Sequence, residues 1–379
     1  MDKLPKKLKS KLEHREHEQL FRNLSDSHNL IDFSSNDYLG FSKSESIFNN
    51  THDFLKAHNL FQNGATGSRL LTGNHSLYNE LETKLCKVYN CESALVFNSG
   101  YNANIGFFSC VPQRGDLIFY DEFIHASIRD GIRLSNAKAF KFKHNDLNHL
   151  ENLLNGVQNG ETVYVVSESV FSMDGDSPDL VALSQLCLKH HALQIVDEAH
   201  AVGVLDNHAK GMVDQLQLQD TVFARLITFG KGLGCHGAAI LGSEDLKDYL
   251  VNFARSFIYT TALPPHSIAT IIMAYDELNI TNNIQKLHHN IQLFKSEIKS
   301  NNLESHFIES DSAIQCCIIE GNDNVGSISK QLQKQGFDVK AILSPTVPKG
   351  RERLRFCLHS YNSADEITQV LKLLATFVE

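Results

Sequence analysis

Four short stretches carry residues that could do chemistry together. "IVDEAHAVG" (195–203) places Asp197 and His200 three apart, and "TFGKGLG" (228–234) holds Lys231 among glycines. "DEFIHAS" (121–127) contributes His125, and "ESVFSMDGD" (168–176) contributes Ser172. An amine, a carboxylate, two imidazoles and a hydroxyl suffice for proton transfer and for covalent chemistry at nitrogen. The letters Asp-Glu-Ala-His also occur in nucleic-acid helicases, which require a phosphate loop of the form G-x-x-x-x-G-K-[ST]. Around Lys231 that pattern fails, with Arg225 in place of the first glycine and Gly232 in place of the serine or threonine. "GLGCHG" (232–237) fits the dinucleotide signature G-x-G-x-x-G, yet it leads into the apolar run "AAILGS" instead of opening a helix. Taken singly, Asp197 reads as a helix cap, the histidines as packed or loop residues and Lys231 as a solvated loop lysine.

The bulk numbers narrow the choice. The chain has 379 residues, 42% hydrophobic and 21% charged, enough for a large and a smaller domain. A net charge of −9 gives no overall attraction for a phosphate backbone, so no nucleic-acid partner is expected. Eight scattered cysteines form no C-x-x-C pair, which points to reduced thiols in a cytoplasm. The basic start "MDKLPKKLKSKLEHREHEQLFRNL" has no apolar core of signal-peptide length, and no run reaches the roughly 18 apolar residues of a membrane span. No membrane partner is therefore expected, and the expected location is cytoplasmic.

The elements that must position these residues follow from the hydrophobic pattern. Residues 3–24 read as an amphipathic helix that packs on the main body or on a partner subunit. Between about 76 and 260, the apolar runs "SALVFNSG", "DLIFYDE", "TVYVVSES", "LQIVDEAH", "RLITFGKG" and "AAILGS" are separated by helix-length segments. That alternation predicts βαβ units and a mostly parallel sheet covered on both faces. After Pro264 and Pro265, a long helical region (267–300) and the runs "SAIQCCIIEG", "FDVKAIL" and "RLRFCLH" predict a smaller C-terminal α+β domain. We expect an N-terminal segment over 1–45, a large domain over 46–262 and the small domain over 263–379. Asn98 to Gly100, Ser167 to Ser172, Asp197 to His200 and Thr228 to Lys231 then all fall at carboxyl ends of strands, where open parallel sheets bind ligands.

A cofactor suits this set. Pyridoxal 5'-phosphate needs a lysine for a Schiff base, a carboxylate against its pyridinium nitrogen, donors for its phosphate and a flat partner for its ring. Lys231 and Asp197 supply the first two. His200 and Ser172 could reach the phenolic oxygen. A helix opening at Gly100 in "FNSGYNAN" offers free amides for an anion, with the Thr228 hydroxyl nearby, and His125 could lie against the ring.

At this point the sequence closely resembles the α-oxoamine synthases, fold-type I pyridoxal-phosphate enzymes that join an amino acid to an acyl thioester with loss of carbon dioxide. The resemblance runs from "DFSSNDYLG" (32–40) through "GSRLLTGNHSLYNELE" (67–82), "SGYNAN", "HASIRDG", "ESVFSMDGD", "VDEAHAVG" and "TFGKGLG" to "IYTTALPP" and "SPTVPKGRERLRFCLH". It implies Lys231 as the cofactor lysine, Asp197 at the pyridine nitrogen, His200 and Ser172 on the phenolic side, and His125 on the ring. Gly100, Tyr101 and Thr228 would surround the phosphate. Thr260 and Thr261 match the position lent to the phosphate of the neighbouring subunit, which implies a homodimer with a shared site. Arg22, Asn36, His125, Thr346 and Arg355 match substrate positions, Arg355 being the candidate for the amino acid's carboxylate.

Within that family "TGNHSLYNELE" is closest to the branch of biotin biosynthesis. This implies condensation of L-alanine with pimeloyl-CoA, or with pimeloyl-carrier protein, to give 8-amino-7-oxononanoate. Glycine-using relatives usually read Gly-Thr in place of "GNH" (73–75). The rival within the family is a synthase using glycine or serine with another acyl-CoA; outside it stand a nucleotide-binding protein and an inactive fold relative. One departure is Leu343, which occupies a place where well-known biotin-branch members have arginine, two residues before the Pro-Thr-Val-Pro motif.

Overall fold

The computed structural model describes residues 4–18, 20–22, 24, 29–158, 160–205 and 208–378. It opens with α1 (Lys6–His17), β1 (Ile31–Asp32), α2 (Glu45–Ala57) and α3 (Ser76–Tyr89). Strands then alternate with helices: β2 (Ser93–Phe97), α4 (Gly100–Cys110), β3 (Leu117–Asp121), α5 (Ala126–Leu134), β4 (Lys138–Phe142), α6 (Leu147–Leu154), β5 (Val163–Glu168), α7 (Leu180–Lys189) and β6 (Leu193–Asp197). After α8 (Met212–Gln215) come β7 (Ala224–Thr228), β8 (Ala238–Gly242), α9 (Glu244–Phe253), α10 (Arg255–Ile258), α11 (Pro265–Leu278) and α12 (Asn283–Ser300). The chain closes with β9 (Ile314–Ile318), α13 (Asn322–Lys334), β10 (Phe337–Asp338), β11 (Lys340–Ile342), β12 (Arg353–Cys357) and α14 (Ala364–Val378).

Seven strands form the large sheet in the order β2-β8-β7-β6-β5-β3-β4. Every neighbouring pair is parallel except the two made by β8. Alternate residues of one strand serve opposite faces, as the two-residue period demands. Leu95, Ile118, Val166, Ile195 and Leu226 pack with residues of α4, α5 and α9 on one face. On the other, Val96, Ile227 and Ala239 meet α3 and α11, while Phe119, Val165 and Val196 meet α6 and α7. The sheet is thus buried on both sides, as the uninterrupted apolar runs predict.

A second sheet, β11-β12-β9, is antiparallel and packs with α12, α13 and α14. Phe33, Tyr38, Leu39 and Phe41 belong to this same cluster, and β1 pairs in parallel with β10. The N-terminal motif "DFSSNDYLG" therefore folds as part of the C-terminal layer. The expected helix over 267–300 is two helices, α11 and α12, parted at Asn279–Asn282. Ile268, Ile271, Ile272 and Tyr275 of α11 share the core of the large sheet, while Ala274 packs in that of the smaller layer, so α11 bridges the two. Within the expected helix over 3–24, of which residues 3, 19 and 23 lie outside the described residues, Lys6–His17 are helical with no buried residue, and Leu8 and Leu12 are exposed.

The loop after β5 is tied to the smaller sheet. Gly175 has φ +78°, and its carbonyl accepts from the hydroxyls of Ser310 at 2.7 Å and Ser312 at 2.9 Å. A β-carbon here would lie 2.2 Å from the Ile314 carbonyl oxygen. We expect Gly175→Ala to lower stability by roughly 2 kcal/mol or more, since it adds both backbone strain and a backbone clash. Urea denaturation of the variant beside the parent protein measures this.

Candidate active site

The carboxyl ends of β2, β3, β5, β6 and β7 meet at one edge of the sheet, and a cavity of about 280 Å³ opens there. It is lined by Gly100, Tyr101, His125, Asp197, His200, Thr228 and Lys231, together with Asn36, Asn104 and Glu168. The structure thus brings together eight of the residues singled out in the sequence, one of them, Asn36, from the smaller layer.

Lys231 follows β7 in a loop closed by hydrogen bonds from Phe229 N to Gly237 O (2.9 Å) and from Cys235 N to Phe229 O (2.7 Å). Burial lowers its pKa to about 8, although Asp197 and Glu168 pull the other way. Such an amine is a usable base or nucleophile near neutral pH. Its Nζ lies 2.6 Å from His200 Nε2, and His200 Nδ1 lies 2.7 Å from the Tyr38 hydroxyl. A protonated Lys231 has no lone pair, so Nε2 must accept and Nδ1 must carry the ring's proton. Tyr38 then receives that proton's hydrogen bond and donates its own to Asn36 Oδ1 at 3.1 Å. Burial and the Lys231 charge hold His200 well below the usual imidazole range, which keeps it neutral in this chain.

Asp197 is 5% exposed at the end of β6. Its carboxylate accepts from Ala199 N at 2.9 Å and from Asn104 Nδ2 at 3.0 Å. Asn104 also donates to Ser127 Oγ, which lies 2.7 Å from His125 Nδ1. Because Ser127 N donates to that same nitrogen, the ring's proton sits on Nε2. The backbone N–H of His125 donates to the Glu168 carboxylate, whose pKa burial and Asp197 push well above the usual range.

These residues fit pyridoxal phosphate on structural grounds. Asp197 is a buried acceptor with no cation in salt-bridge contact among the described residues, and a pyridinium nitrogen would meet that need. At the other end, α4 begins at Gly100 with the Ser99 side chain capping Asn102 N, so the helix presents backbone amides to an anion. Any side chain at position 100 would crowd Thr228, a β-carbon falling 2.7 Å from its methyl group.

Other expected residues lie apart from this cavity. Ser172 lines an adjoining one with Met173 and Thr346, and that cavity shares His125 with the first. Arg22 lines a third, more outlying cavity with Leu343 and Thr346. Arg355 is buried in β12; it donates to Ser172 O at 2.7 Å and to Asn36 Oδ1 at 3.0 Å, reaching the first cavity through Asn36. Thr260 accepts from Asn98 Nδ2 at 2.8 Å, and the Thr261 carbonyl accepts from the same amide at 3.4 Å. Neither threonine lines the cavity of its own chain.

Several supporting residues escaped the sequence reading. Tyr38, Asn104 and Glu168 stood inside the quoted motifs, but nothing in their spacing gave them a role. Glu198, the second letter of Asp-Glu-Ala-His, is fully buried and pairs with Arg225, which also holds Asp214 at 2.7 Å. His144 lies between two carboxylates, Nδ1 2.9 Å from Asp121 and Nε2 2.8 Å from Asp176. Carboxylates only accept, so both ring nitrogens must be protonated. This imidazolium ties the loop carrying His125 to the loop carrying Ser172.

Comparison with known proteins agrees with this geometry. Residues 28–374 match the model of aminotransferase class I and II. The chain is 39% identical over 369 residues to 8-amino-7-oxononanoate synthase of Emericella nidulans, covering 92% of this chain and 89% of that one. A putative 8-amino-7-oxononanoate synthase of Geobacillus kaustophilus is 36% identical, with 91% and 88% covered. The chain belongs to this family of synthases. Among solved structures, serine palmitoyltransferase of Sphingomonas wittichii superposes with a TM-score of 0.90 at 25% identity over 98% of this chain and 97% of that one. 8-Amino-7-oxononanoate synthase of Francisella tularensis gives 0.77 at 29% identity, with 93% and 98% covered. The fold is that of the fold-type I pyridoxal-phosphate transferases, and the chain is a pyridoxal-phosphate-dependent acyltransferase. Among the described residues no helix is long and apolar enough to cross a membrane.

Two outcomes follow. Arg225→Met leaves Glu198 and Asp214 without their cation and should cost roughly 3–5 kcal/mol in denaturant unfolding. The pKa of His144 is raised to about 10 by its two carboxylates, against the desolvation that lowers it. Its contribution to stability is therefore complete below the unfolded value near 6.5 and is lost as pH rises through about 10. His144→Gln should flatten the fall in melting temperature over that alkaline window, read by thermal denaturation across pH.

Proposed function

We propose that the chain condenses L-alanine with a pimeloyl thioester, carried by CoA or by a carrier protein, to give 8-amino-7-oxononanoate, carbon dioxide and the free thiol. The observation that carries this reading is the single cavity in which Lys231, Asp197, His200 and His125 converge. It lies in a chain 39% identical over 92% of its length to a synthase of that name.

Pyridoxal phosphate, when bound, supplies the electron sink that makes the amino acid's α-carbon nucleophilic. Lys231 would hold it, Asp197 would face the pyridine nitrogen, and His125 would lie against the ring. Gly100, Tyr101 and Thr228 would surround the phosphate, and His200 the phenolic side. Ser172, expected on that side too, lines the adjoining cavity. Lys231 Nζ moves the α-proton, helped by a pKa near 8 that lets the amine exist in both forms at neutral pH. Through Tyr38 and Asn36, His200 links that amine to Arg355, the candidate for the substrate carboxylate. Arg22, His125 and Thr346 line the route by which the acyl thioester reaches the site.

The reading includes a homodimer. Thr260 and Thr261 are held away from their own cavity, and Ala262 N donates to Gly67 O at 2.9 Å. Exposed Leu70, Leu71 and Tyr259 on these segments suit a subunit contact that would bring the threonines to the partner's phosphate. The setting we assign is the cytoplasm, where the free cysteines stay reduced.

The deciding experiment supplies pyridoxal phosphate and pimeloyl-CoA with L-alanine, glycine or L-serine and identifies products by mass. An alanine-dependent amino ketone with one carbon dioxide released is expected. Turnover only with glycine or serine, or only with other acyl chains, would replace this reading with another α-oxoamine synthase. Lys231→Ala should abolish the yellow absorbance of the loaded protein and lower turnover by on the order of 10³ or more.

A further inference from the structure

The cavities around the active site form a series. The cofactor cavity shares His125 with the second, of about 260 Å³, and the second shares Met173 and Thr346 with the outlying third. The walls of the second are mainly apolar: Phe123, Ile124, Ala126, Met173, Val347 and Pro348. Phe123 is pinned by stacking on His144, with ring centroids 4.4 Å apart. Such a space suits an aliphatic chain, and methionine adapts to its shape.

Two guanidinium groups border this cavity, and they differ in state. Arg353 is 1% exposed and already paired with Asp174, with further bonds to the carbonyls of Met173 and Arg351. Arg129, on the exposed face of α5 one turn after His125, donates to the backbone carbonyl of Glu122. No carboxylate of the described residues forms an ion pair with it: Asp130 is taken by Arg133 and Tyr101, and Glu122 by Lys141. An unmatched cation thus stands at the rim of an apolar cavity that opens onto the reacting centre. Leu343, in the outlying cavity, brings no charge to this region, and the cations there are Arg15 and Arg22.

Resting on the function proposed above, we infer that Arg129 is the residue that selects the acyl chain, by pairing with the carboxylate at its far end. The chain lies along Phe123, Met173 and Val347, and the guanidinium exchanges part of its hydration for a charge-assisted hydrogen bond. Arg15 and Arg22, in the outlying cavity, would meet the phosphates of the thiol carrier.

The test compares pimeloyl-CoA with heptanoyl-CoA, equal in carbon number and lacking the terminal carboxylate, in the pyridoxal-phosphate-loaded parent, Arg129→Leu and Arg129→Lys. Arg129→Leu should raise KM for pimeloyl-CoA about tenfold or more, with kcat little changed. KM for heptanoyl-CoA should stay within about twofold, and Arg129→Lys should fall between. Equal effects on both thioesters, or no effect on pimeloyl-CoA, would overturn the assignment while leaving the condensation reading intact. If the parent condenses neither thioester with L-alanine, the function itself is wrong and this inference falls with it.

Discussion

Everything at the site depends on holding a carboxylate, Asp197, and an amine, Lys231, in the walls of one cavity. Each would lose several kcal/mol on leaving water alone. The chain reduces that loss in different ways for the two. Asp197 receives hydrogen bonds from Ala199 N and Asn104. Lys231 instead yields part of its basicity, and His200 Nε2 accepts a hydrogen bond from it. The result is a hydrogen-bonded carboxylate and an amine of lowered basicity on the walls of one cavity.

Such an arrangement requires loops that do not drift, and ion pairs hold those after β3, β5 and β6. The turn after β6 is fixed by Glu198 on Arg225 of β7. The loops after β3 and β5 are joined by His144 between Asp121 and Asp176. Arg353 of the smaller sheet holds Asp174 of the β5 loop, and Ser310 and Ser312 hold Gly175 beside it. Desolvation makes such pairs poor sources of net stability, but removing one partner leaves a charge stranded. Their value here is geometric, because a loop held by an ion pair has one register.

The sheet was legible in the sequence because its strands are buried on both faces and read as short apolar runs at helix-length intervals. The residues lining the cavity were legible for a related reason: ligand-binding groups in a parallel sheet stand at strand ends, and Asp197, Thr228 and Lys231 sit at the ends of runs that are plain to see. The loop after β3 was visible through His125. What could not be read were contacts between distant segments. Nothing in the spacing of Tyr38 indicates that it meets His200, 162 positions away. His144 looks like an ordinary loop histidine until Asp121 and Asp176 are placed on either side of it. The division of the chain was also obscured, since α11 follows two prolines and precedes a long helix, yet its apolar face completes the large sheet's core.

The placement of β1 and the segment after it has a functional consequence. Asn36 and Tyr38 precede the large sheet by more than fifty residues, but they fold with the smaller layer, where Arg355 bonds Asn36. The hydrogen-bond chain from Lys231 through His200 and Tyr38 to Asn36 therefore crosses from one layer to the other. Arg355 and Lys231 are registered against each other only while both layers are packed. The two groups thus come from separate hydrophobic cores, and the packing between those cores sets the distance between them.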